Sequence, residues 1–528
     1  MKVALFINFI SIIISYSSTT TAAAATATTT ATINWWCLQT PHPETCIHHV
    51  TKRSPASATI SGNQFLDMTV QAAIDEARVA LKQTQEIEST YPNVPGKSLW
   101  GSCVEYFDGI VFTLNMVLDH TLQPTPLDVQ TWLSAGLTYI TVCNKGFESI
   151  NMINTMQHVI STNVTELIIN SLAISVAITR THIHGPDDWN VRDEYKPTDL
   201  AIETPDVVVA QDGSGDFITV QEAVDYAVHR RPNERFVIYV KAGVYKENVE
   251  IPRAFRNIKM LGDGINKTII TGDRHCGGDA KDTSKAGDLQ ESATFKVWSR
   301  KFIARDITFQ NTAGPEGEQA VALLSASDKS AFYRCSFEGY QDTLFTIAYR
   351  QFYKECQIFG TVDFIFGGAA AVFQDCEIFL RKPLPGGGLV LTAHGRNIHY
   401  EPVGYSLQGC KITAEPGFKP GDYEKAFLGR PWFGVSRTVY MQSFLDDIVD
   451  PKGRMDSWGH KQSAYCGEYN NYGPGSFTNQ RVKWPHYQAI NDQMIAEFFT
   501  VANFISGNIW LPETGVPFTP GLENQSYD

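Results

Sequence analysis

The spacing of apolar residues along the chain changes near residue 180. Before that point, apolar side chains recur about every 3.6 residues, which is the period of an amphipathic helix. The stretches with this period are 65–87, 106–118, 125–144 and 164–179, and proline interrupts the pattern at 91–95 and 123–126. Short breaks between amphipathic helices are typical of antiparallel neighbours. We therefore predict an all-α four-helix bundle in the N-terminal part.

After residue 206 the apolar pattern becomes that of strands, with β-branched and aromatic runs separated by Gly, Asn and Asp. The runs are 236–240, 258–261, 268–271, 294–297, 303–309, 320–324, 331–337, 351–359, 371–379 and 405–412. A piece with an apolar residue, a central cysteine and a final Ile or Phe recurs around Cys335, Cys356, Cys376 and Cys410. The spacing of about twenty residues is that of one solenoid coil. We predict a mainly β protein whose C-terminal part is a parallel β-helix, capped by a short helix at 220–229. An antiparallel sandwich or barrel is the alternative.

The N-terminus and the segment between the two regions differ in composition from the rest of the chain. Lys2 followed by an apolar run at 3–14, too short to span a bilayer, predicts a secretory signal peptide over 1–25; an uncleaved anchor is the alternative. Gly, Pro and charged residues predict a linker at 184–205. The predicted domains are therefore a helical bundle over 33–183 and a β-helix over 206–528. Sequons at Asn163, Asn266 and Asn524 are compatible with secretion and glycosylation.

Charge and cysteine content narrow the class of protein. A net charge of −13 over 528 residues argues against nucleic acid or an anionic membrane as partner. Ten cysteines permit disulfides in an oxidising compartment. Four lie in the helical part, at Cys37, Cys46, Cys103 and Cys143, and allow three connectivities. Equivalent positions in neighbouring coils stack, so Cys356 and Cys376 could form a disulfide. We find no metal-binding cluster and expect no cofactor.

Two aspartates are unusual for strand-like surroundings. Asp342 and Asp363 lie among short apolar and aromatic residues, where an ionised carboxylate is costly to bury without partners. Their separation of about one coil would let the two carboxyl groups face each other across a groove. Paired carboxylates in unlike environments can divide into an acid and an ionised base or nucleophile. The other interpretation is that both are turn residues at coil corners.

Five segments of the β region carry a family resemblance when they are taken together and in order. They are Gly-Val-Tyr-Lys-Glu from Gly243, Gln-Ala-Val-Ala-Leu from Gln319, Tyr-Gln-Asp-Thr-Leu from Tyr340, Asp-Phe-Ile-Phe-Gly from Asp363 and Leu-Gly-Arg-Pro-Trp from Leu428. This order resembles the plant pectin methylesterases over residues 206–510. The helical part resembles the inhibitor domain that precedes many of these enzymes as a pro-region. The resemblance implies a right-handed parallel β-helix and a secreted, monomeric enzyme of the plant cell wall.

The resemblance also implies roles for individual residues. Asp363 would be the nucleophile on the methyl ester of a galacturonate unit, and Asp342 would donate a proton to methanol. Gln341 would stabilise the oxyanion and Gln319 would contact substrate, although glutamines in a solenoid can also form structural ladders. Arg430 would hold Asp363 ionised, with a surface ion pair as the alternative, and Trp432 would stack on a sugar. Phe345 and Phe364 are further aromatic candidates for the groove, or else core residues.

The expected substrate is methyl-esterified homogalacturonan, and the expected protein partners are inhibitor proteins or the chain's own helical region. One alternative is an inhibitor or polysaccharide-binding protein without strong esterase activity, which would not need the aspartate pair. Another is a pectate lyase, whose calcium-binding carboxylates and basic proton acceptor are not visible in the sequence. The chain departs from the family pattern at Leu289, where a threonine is usual, and after Gly453, where tryptophan is usual. A dibasic processing site in the linker is not evident.

Overall fold

The computed structural model describes residues 30–90, 97–152, 162–179, 195, 204–229, 234–277, 288–418, 425–457 and 459–523. The predicted signal peptide and nearly all of the predicted linker lie outside these residues. Among the described residues, no helix is long and apolar enough to cross a membrane.

The N-terminal part is an all-α bundle, as predicted. Its four long helices pack around buried aromatic and aliphatic side chains, including Trp36, Trp100 and Phe107. Two disulfides, Cys37–Cys46 and Cys103–Cys143, fasten the N-terminal hairpin and join the second long helix to the third. The helices are α1 (Ile33–Leu38), α2 (Pro43–Val50), α3 (Gly62–Thr90), α4 (Lys97–Leu118), α5 (Pro126–Ser149) and α6 (Asn163–Thr179), with a small ribbon of β1 (Thr30–Thr32) and β2 (Thr59–Ser61).

The C-terminal part is a parallel β-helix, also as predicted. Its described strands form three parallel sheets that run the length of the solenoid. The first sheet contains β3 (Val207–Val209), β4 (Phe236–Val240), β7 (Ile258–Leu261), β10 (Ile303–Arg305), β13 (Ser330–Tyr333), β16 (Arg350–Lys354), β19 (Ala370–Gln374), β22 (Gly404–Gln408), β25 (Arg437–Met441), β27 (Tyr465–Tyr469) and β28 (Tyr487–Ala489). The second contains β5 (Gly243–Lys246), β8 (Thr268–Gly272), β11 (Thr308–Asn311), β14 (Ser336–Glu338), β17 (Gln357–Gly360), β20 (Glu377–Leu380), β23 (Lys411–Ala414) and β26 (Phe444–Leu445). The third contains β6 (Val249–Ile251), β9 (Phe295–Val297), β12 (Leu323–Ser325), β15 (Leu344–Thr346), β18 (Val362–Gly367), β21 (Val390–His394) and β24 (Phe427–Pro431).

Short helices cover the ends of the solenoid. Helix α7 (Val220–Tyr226) begins at Thr219, whose side chain accepts a hydrogen bond from the Glu222 amide, and it buries Val220 and Val224 against the first coils. This is the capping helix that the sequence predicts. Near the C-terminus, α8 (Gln493–Glu497), α9 (Val501–Phe504) and α10 (Gly507–Trp510) place apolar side chains on the outer face of the first sheet.

The recurring cysteine pieces are corners where the chain passes from the first sheet to the second. The residue before each cysteine has a positive φ, at Arg334, Glu355, Asp375 and Gly409. This left-handed residue divides what the sequence predicts as single runs, such as 351–359, into two strands. The cysteine that follows each corner is buried in the interior.

The predicted Cys356–Cys376 disulfide is wrong, since both residues are free thiols. Parallel neighbouring strands hold equivalent Cβ atoms about 4.8 Å apart, whereas a disulfide usually needs about 3.5–4.5 Å. Each thiol instead donates to backbone carbonyls, that of Cys356 to Phe332 O and that of Cys376 to Tyr353 O.

The helical bundle packs on the outer face of the third sheet. Outward-facing side chains of that sheet belong to the same contiguous set of buried residues as the core of the bundle. Helices α4 and α5 provide the contacts, for example from Thr141 Oγ1 to Asn397 Oδ1 at 2.8 Å. At Gly368 a Cβ atom would lie 2.8 Å from the side chain of Thr138, so the helix approaches the bare backbone there.

Candidate active site

Asp342 and Asp363 occupy successive coils, near the N-terminal ends of the neighbouring strands β15 and β18 of the third sheet. The amide of Asp342 donates to Val362 O at 3.1 Å, which joins the two coils directly beside the second aspartate. Both aspartates have positive φ values, 60° and 50°, a conformation that aspartate tolerates better than most residues. The interpretation that both are turn residues holds for Asp342, whereas Asp363 is the second residue of strand β18. A turn position for Asp342 is compatible with a shared site.

A local irregularity in β18 sets the direction of Asp363. The register between β18 and β21 shifts between Val362 and Ile365, and bulges of this kind turn side chains outward near functional sites. As a result, Phe364 and Ile365 both point into the interior. Phe364 packs over Gly360, where a Cβ atom would lie 2.2 Å from that of Phe364. Glycine at 360 therefore allows the bulge, and the bulge keeps Asp363 on the outer face.

Arg430 is the direct partner of Asp363. Its Nε donates to Asp363 Oδ1 at 2.8 Å and its second amino group donates to Oδ2 at 2.5 Å, a bidentate geometry. Arg430 lies on β24, where it is in register with Ala393 of β21. Burial raises the pKa of Asp363, and the guanidinium of Arg430 counteracts that rise. Arg430 therefore favours the ionised form of this carboxyl.

Asp342 has the opposite electrostatic character. Burial and the charge of Asp363 both raise its pKa well above the ordinary value, and Arg430 offsets this only in part. Its side chain makes no hydrogen bond to another described residue that would hold it ionised. Two adjacent carboxyls with one cation share a site in which one proton is retained. The arrangement favours a protonated Asp342 beside an ionised Asp363.

Gln319 and Gln341 lie side by side on neighbouring coils. They form a parallel bridge a few residues before β12 and β15. Gln341 directly precedes Asp342 in the sequence. Both are half-buried. Within the described part of the chain, neither side-chain amide makes a hydrogen bond, which distinguishes them from Gln374 and Gln408, where the amides do form a ladder. Their NH₂ groups are thus available to a bound group.

A row of outward-facing side chains on the third sheet runs past these residues. Strand pairing aligns Lys296, Leu324, Phe345, Phe366, Ala393 and Arg430 in register. We call this set the outer row. The rings of Phe345 and Phe366 stack at 4.3 Å, and Trp432 meets Phe366 edge-on at 5.7 Å. The prediction of Phe345 as a lining residue fits this position, whereas Phe364 is a core residue.

Phe366 belongs to the outer row beside the candidate site, and the sequence analysis did not predict this. Strict alternation from an outward Asp363 would turn Phe366 inward, and only the bulge reverses this. The stacking partner of Phe345 therefore could not be found by counting positions. Two aromatic residues after the aspartate, in Asp-Phe-Ile-Phe, were the available signal.

The outer row is covered by the helical bundle. Leu324 and Phe345 are 0% exposed, and Phe366 and Ala393 are 2% exposed, although all four point away from the interior of the solenoid. On the bundle side, Tyr106 and Tyr139 contact Trp298 and Tyr349 of the solenoid. The face that carries the aspartates is thus the face on which α4 and α5 pack.

A buried ionic cluster fixes one edge of this contact. Arg350 donates to Asp328 at 2.7 Å and to Asp128 of α5 at 2.5 Å, while Lys329 lies 3.3 Å from Asp128. The Trp132 indole also donates to Asp328 at 3.0 Å. Burial tends to raise the pKa of both carboxyls, but the two cations outweigh it and lower both pKa values. Both aspartates of this cluster are therefore ionised.

The two departures from the family pattern take different positions. Leu289 is half-buried and packs beside the helical bundle. Gly453 adopts a positive φ of 68°, and the following Arg454 turns inward, with its guanidinium 5.1 Å from the centre of the Tyr440 ring. The side chain of Arg454 therefore does not line the groove in place of the tryptophan that is usual after Gly453. In the described ranges, no group of three or more His, Cys, Asp or Glu side chains is arranged to hold a metal ion.

Comparison with protein-family models finds two matches. Residues 206–508 match the family described as pectinesterase, and residues 31–174 match the family described as plant invertase/pectin methylesterase inhibitor. Together the two models account for both regions of the structure.

Individual relatives agree with this assignment. Pectinesterase 2 of Citrus sinensis is 44% identical over 496 residues, covering 92% of this chain and 94% of that protein. Probable pectinesterase/pectinesterase inhibitor 33 of Arabidopsis thaliana is 39% identical over 93% of this chain and 86% of its own length. Among solved structures, pectin methylesterase from carrot superposes with a TM-score of 0.57 at 42% identity. That match covers 61% of this chain and 100% of the carrot chain.

Proposed function

The chain belongs to the pectinesterase family, and we propose that Asp363 and Asp342 carry out its hydrolysis of methyl esters. The substrate is the methyl-esterified homogalacturonan of cell-wall pectin, and the products are methanol and a free carboxylate. The observation that supports these roles best is the unequal pair of carboxyls. Asp363 is held by the bidentate Arg430, whereas burial and a neighbouring charge favour the protonated form of Asp342.

The first half of the reaction forms an acyl-enzyme. A carboxylate oxygen of Asp363 attacks the ester carbonyl carbon, and negative charge develops on the carbonyl oxygen. The amide groups of Gln341 and Gln319 lie on the same face and donate to that oxygen. The bond to methoxide then breaks, and Asp342 transfers its proton so that methanol leaves. The product is an anhydride between Asp363 and the galacturonate carboxyl.

The second half regenerates the enzyme. Asp342 is now a carboxylate and takes a proton from a water molecule as that water attacks the anhydride. The bond between the galacturonate carbonyl carbon and Asp363 breaks, so Asp363 is again ionised and Asp342 is again protonated. The galacturonate carboxyl keeps the second proton of the water molecule and releases it to solvent, which leaves a free carboxylate. Arg430 contributes by keeping Asp363 ionised before each attack. Trp432, at the edge of the outer row, offers a ring face for a sugar unit.

The test is methanol release from methyl-esterified pectin by the β-helix part, residues 204–528. The match covers the whole carrot chain but only 61% of this chain. A β-helix of this family therefore folds without a helical bundle. We expect the Asp363→Ala variant to lose at least about a thousandfold in kcat. Asp306→Asn is the matched control, because Asp306 likewise is an aspartate with positive φ that pairs with an arginine, Arg334.

Undiminished release by Asp363→Ala would rule out the proposed nucleophile. An unsaturated product that absorbs ultraviolet light, without methanol, would instead indicate a lyase. Pectin binding without either product would indicate a polysaccharide-binding protein.

We also propose that the helical region inhibits its own enzyme by covering the outer row. Support comes from the complete burial of Phe345 and Leu324 and from the inhibitor-family match of residues 31–174. A polysaccharide that follows the third sheet would need the space that α4 and α5 occupy. The full chain should therefore release methanol more slowly than residues 204–528.

A substitution at the closest contact tests this inhibition. Thr138→Arg places a long side chain where the helix meets the bare backbone of Gly368, so it should separate the two regions and raise the methanol release of the full chain. Val79→Arg is the control, since Val79 lies on α3 and is 53% exposed. Equal release by both variants and the unmodified chain would contradict inhibition by this contact.

We further propose that the protein is a secreted, glycosylated monomer of the plant cell wall. The family assignment supports this location. The signal peptide over 1–25, and any processing within 184–205, lie outside the described residues. Mass spectrometry of the protein secreted by plant cells tests cleavage at both places and glycosylation of Asn163, Asn266 and Asn524.

A further inference from the structure

Asp288 lies at the junction between the outer face of the third sheet and helix α4. It is 5% exposed, and its Oδ2 atom has no hydrogen-bond partner among the described residues. Its Oδ1 accepts a hydrogen bond from the Gln290 amide at 3.3 Å. The Ser102 hydroxyl of α4 lies beside the carboxyl but does not complete a regular hydrogen bond with Oδ2. A buried carboxylate oxygen without a partner is costly, and a proton relieves that cost.

The groups that face Asp288 do not compensate its charge. On its own side, Glu291 repels it, and Lys296 attracts it but is already shared by Glu291 and Glu250 at 2.9 Å each. Cys276 also lies close, as a thiol whose pKa is raised by burial. In α4, Tyr106 is neutral because burial raises its pKa well above the ordinary value.

Glu105 of α4 adds to the same effect from the bundle side. Burial raises its pKa, although it lies 3.7 Å from Arg253, which also binds Asp108 at 2.9 Å. At this edge of the contact between bundle and solenoid, several acidic side chains therefore lie together, and the cations described above are already shared by other carboxyls. It differs from the other edge, where Arg350 and Lys329 neutralise two aspartates.

We propose that docking of the helical region on the third sheet takes up a proton at Asp288, so that rising pH releases the region from the outer row. This inference rests on the proposed inhibition, whose pH dependence it supplies.

The sign of the pH dependence of docking follows from the direction in which the pKa of Asp288 is shifted. Burial raises the pKa of Asp288 from 3.8 to about 6 in the docked state. A carboxyl exposed by undocking returns to its ordinary value. The contribution of Asp288 to docking is therefore largest below the ordinary carboxyl pKa, decreases as the pH rises between the two values, and levels off above about pH 6. A shift of this size corresponds to about a hundredfold change in the docking equilibrium.

The test uses the full chain with a protease site inserted between residues 196 and 203. After cleavage, the two halves are held together only by the interface, and their dissociation constant is measured by dilution between pH 4 and 8. We expect it to rise about a hundredfold over this range. In Asp288→Asn, a neutral amide replaces the proton-binding carboxyl, so the dissociation constant should stay low and nearly independent of pH. Asp447→Asn, at an exposed position of the solenoid, should behave like the unmodified chain.

A pH-independent constant in the unmodified chain, or an unchanged slope in Asp288→Asn, would overturn the inference. If Asp288→Asn does not fold, Asp288→Ser provides the same removal of charge with a smaller side chain. Methanol release by the separated β-helix half is measured in parallel. A pH-dependent dissociation without methanol release would leave this inference standing and refute the proposed function, and the reverse result would do the opposite.

Discussion

Two carboxylate pairs near the contact between the helical bundle and the solenoid use the same residue types and reach different protonation states. In the cluster of Asp128 and Asp328, Arg350 and Lys329 supply two positive charges, and the pKa values of both carboxyls are lowered. In the pair of Asp342 and Asp363, Arg430 supplies one charge directed at one partner, and the pKa of Asp342 is raised. Burial is similar at the two places. The number and aim of the cations decide whether a buried pair holds two protein regions together or retains a proton for chemistry.

The largest effect should come from removing the retained proton. Asp342→Asn keeps the shape of the side chain but cannot give a proton to methanol, so kcat of residues 204–528 should fall by about 10²–10⁴. Asp328→Asn in the same fragment should change kcat by less than about twofold, because that cluster serves the bundle contact. Methanol release is measured for both variants. Similar losses of kcat in Asp342→Asn and Asp328→Asn would show that the two carboxylate pairs do not have different functions.

A smaller loss is expected when the single cation of the catalytic pair is removed. Arg430→Gln leaves the pKa of Asp363 raised by burial without a counteracting charge. Asp363 must be ionised to attack, so the acid limb of the kcat/KM profile should move to higher pH, and kcat should fall by about 10–100-fold near neutrality.

Arg430→Lys is the control for this shift. It retains a positive charge but loses the bidentate fork, so it should restore part of the pH profile and less of kcat. An acid limb that moves to lower pH in Arg430→Gln would contradict the assignment.

The ionic cluster should affect docking more than chemistry. Arg350→Met leaves two buried carboxylates with only Lys329, which costs about 3–5 kcal/mol in such clusters. The full chain should then release methanol at a rate closer to that of residues 204–528. Arg334→Met, which removes the partner of Asp306 at a distant corner, should leave the full-chain rate unchanged.

The same cluster also predicts a pH dependence of opposite sign to that of Asp288. The pKa of Asp128 is lowered on docking, so its stabilisation is fully present above the ordinary carboxyl pKa and is lost as pH falls below it. Docking in the unmodified chain should therefore be strongest near pH 4. When the dissociation profile of the cleaved chain is extended below about pH 4, docking should weaken in the unmodified chain, and this acidic loss should be absent in Arg350→Met.

The smallest effect is expected for an exposed pair. Lys145 and Glu148 of α5 lie 2.6 Å apart, with both side chains more than 40% exposed. Solvent screening reduces such pairs to less than about 0.5 kcal/mol. Glu148→Gln should thus leave the thermal midpoint of the full chain and its methanol release unchanged within error. A marked loss of stability would show that this end of α5 contributes to docking.

Local patterns were sufficient to predict the two architectures. The apolar period of 3.6 located the four long helices, and strands such as Phe236–Val240 and Ile258–Leu261 have the predicted bounds. Runs such as 331–337 were predicted as one strand because their corner residue, Arg334, is not a glycine, although its φ is positive. Tolerance of that conformation depends on the stacking of whole coils, which a single segment does not reveal.

The site was predictable as residue types and less so as geometry. Asp342 and Asp363 were found from their unsuitability for strands, and their placement on successive coils follows the predicted repeat. The inward turn of Phe364, the outward turn of Phe366 and the free thiols of Cys356 and Cys376 were not predictable, because each depends on a bulge or on parallel register. The contact between Asp288 and α4 joins segments almost 190 residues apart, and no local pattern encodes it.

The buried thiols of the solenoid can be used to measure how its coils unfold. Cys335, Cys356, Cys376 and Cys410 occupy successive corners and are free and buried, and burial raises the pKa of Cys335 to about 12. A thiol-specific reagent can reach them only when the coil that encloses them separates from its neighbours. The order in which the four become labelled, read by mass spectrometry, would therefore report the sequence in which individual coils unzip.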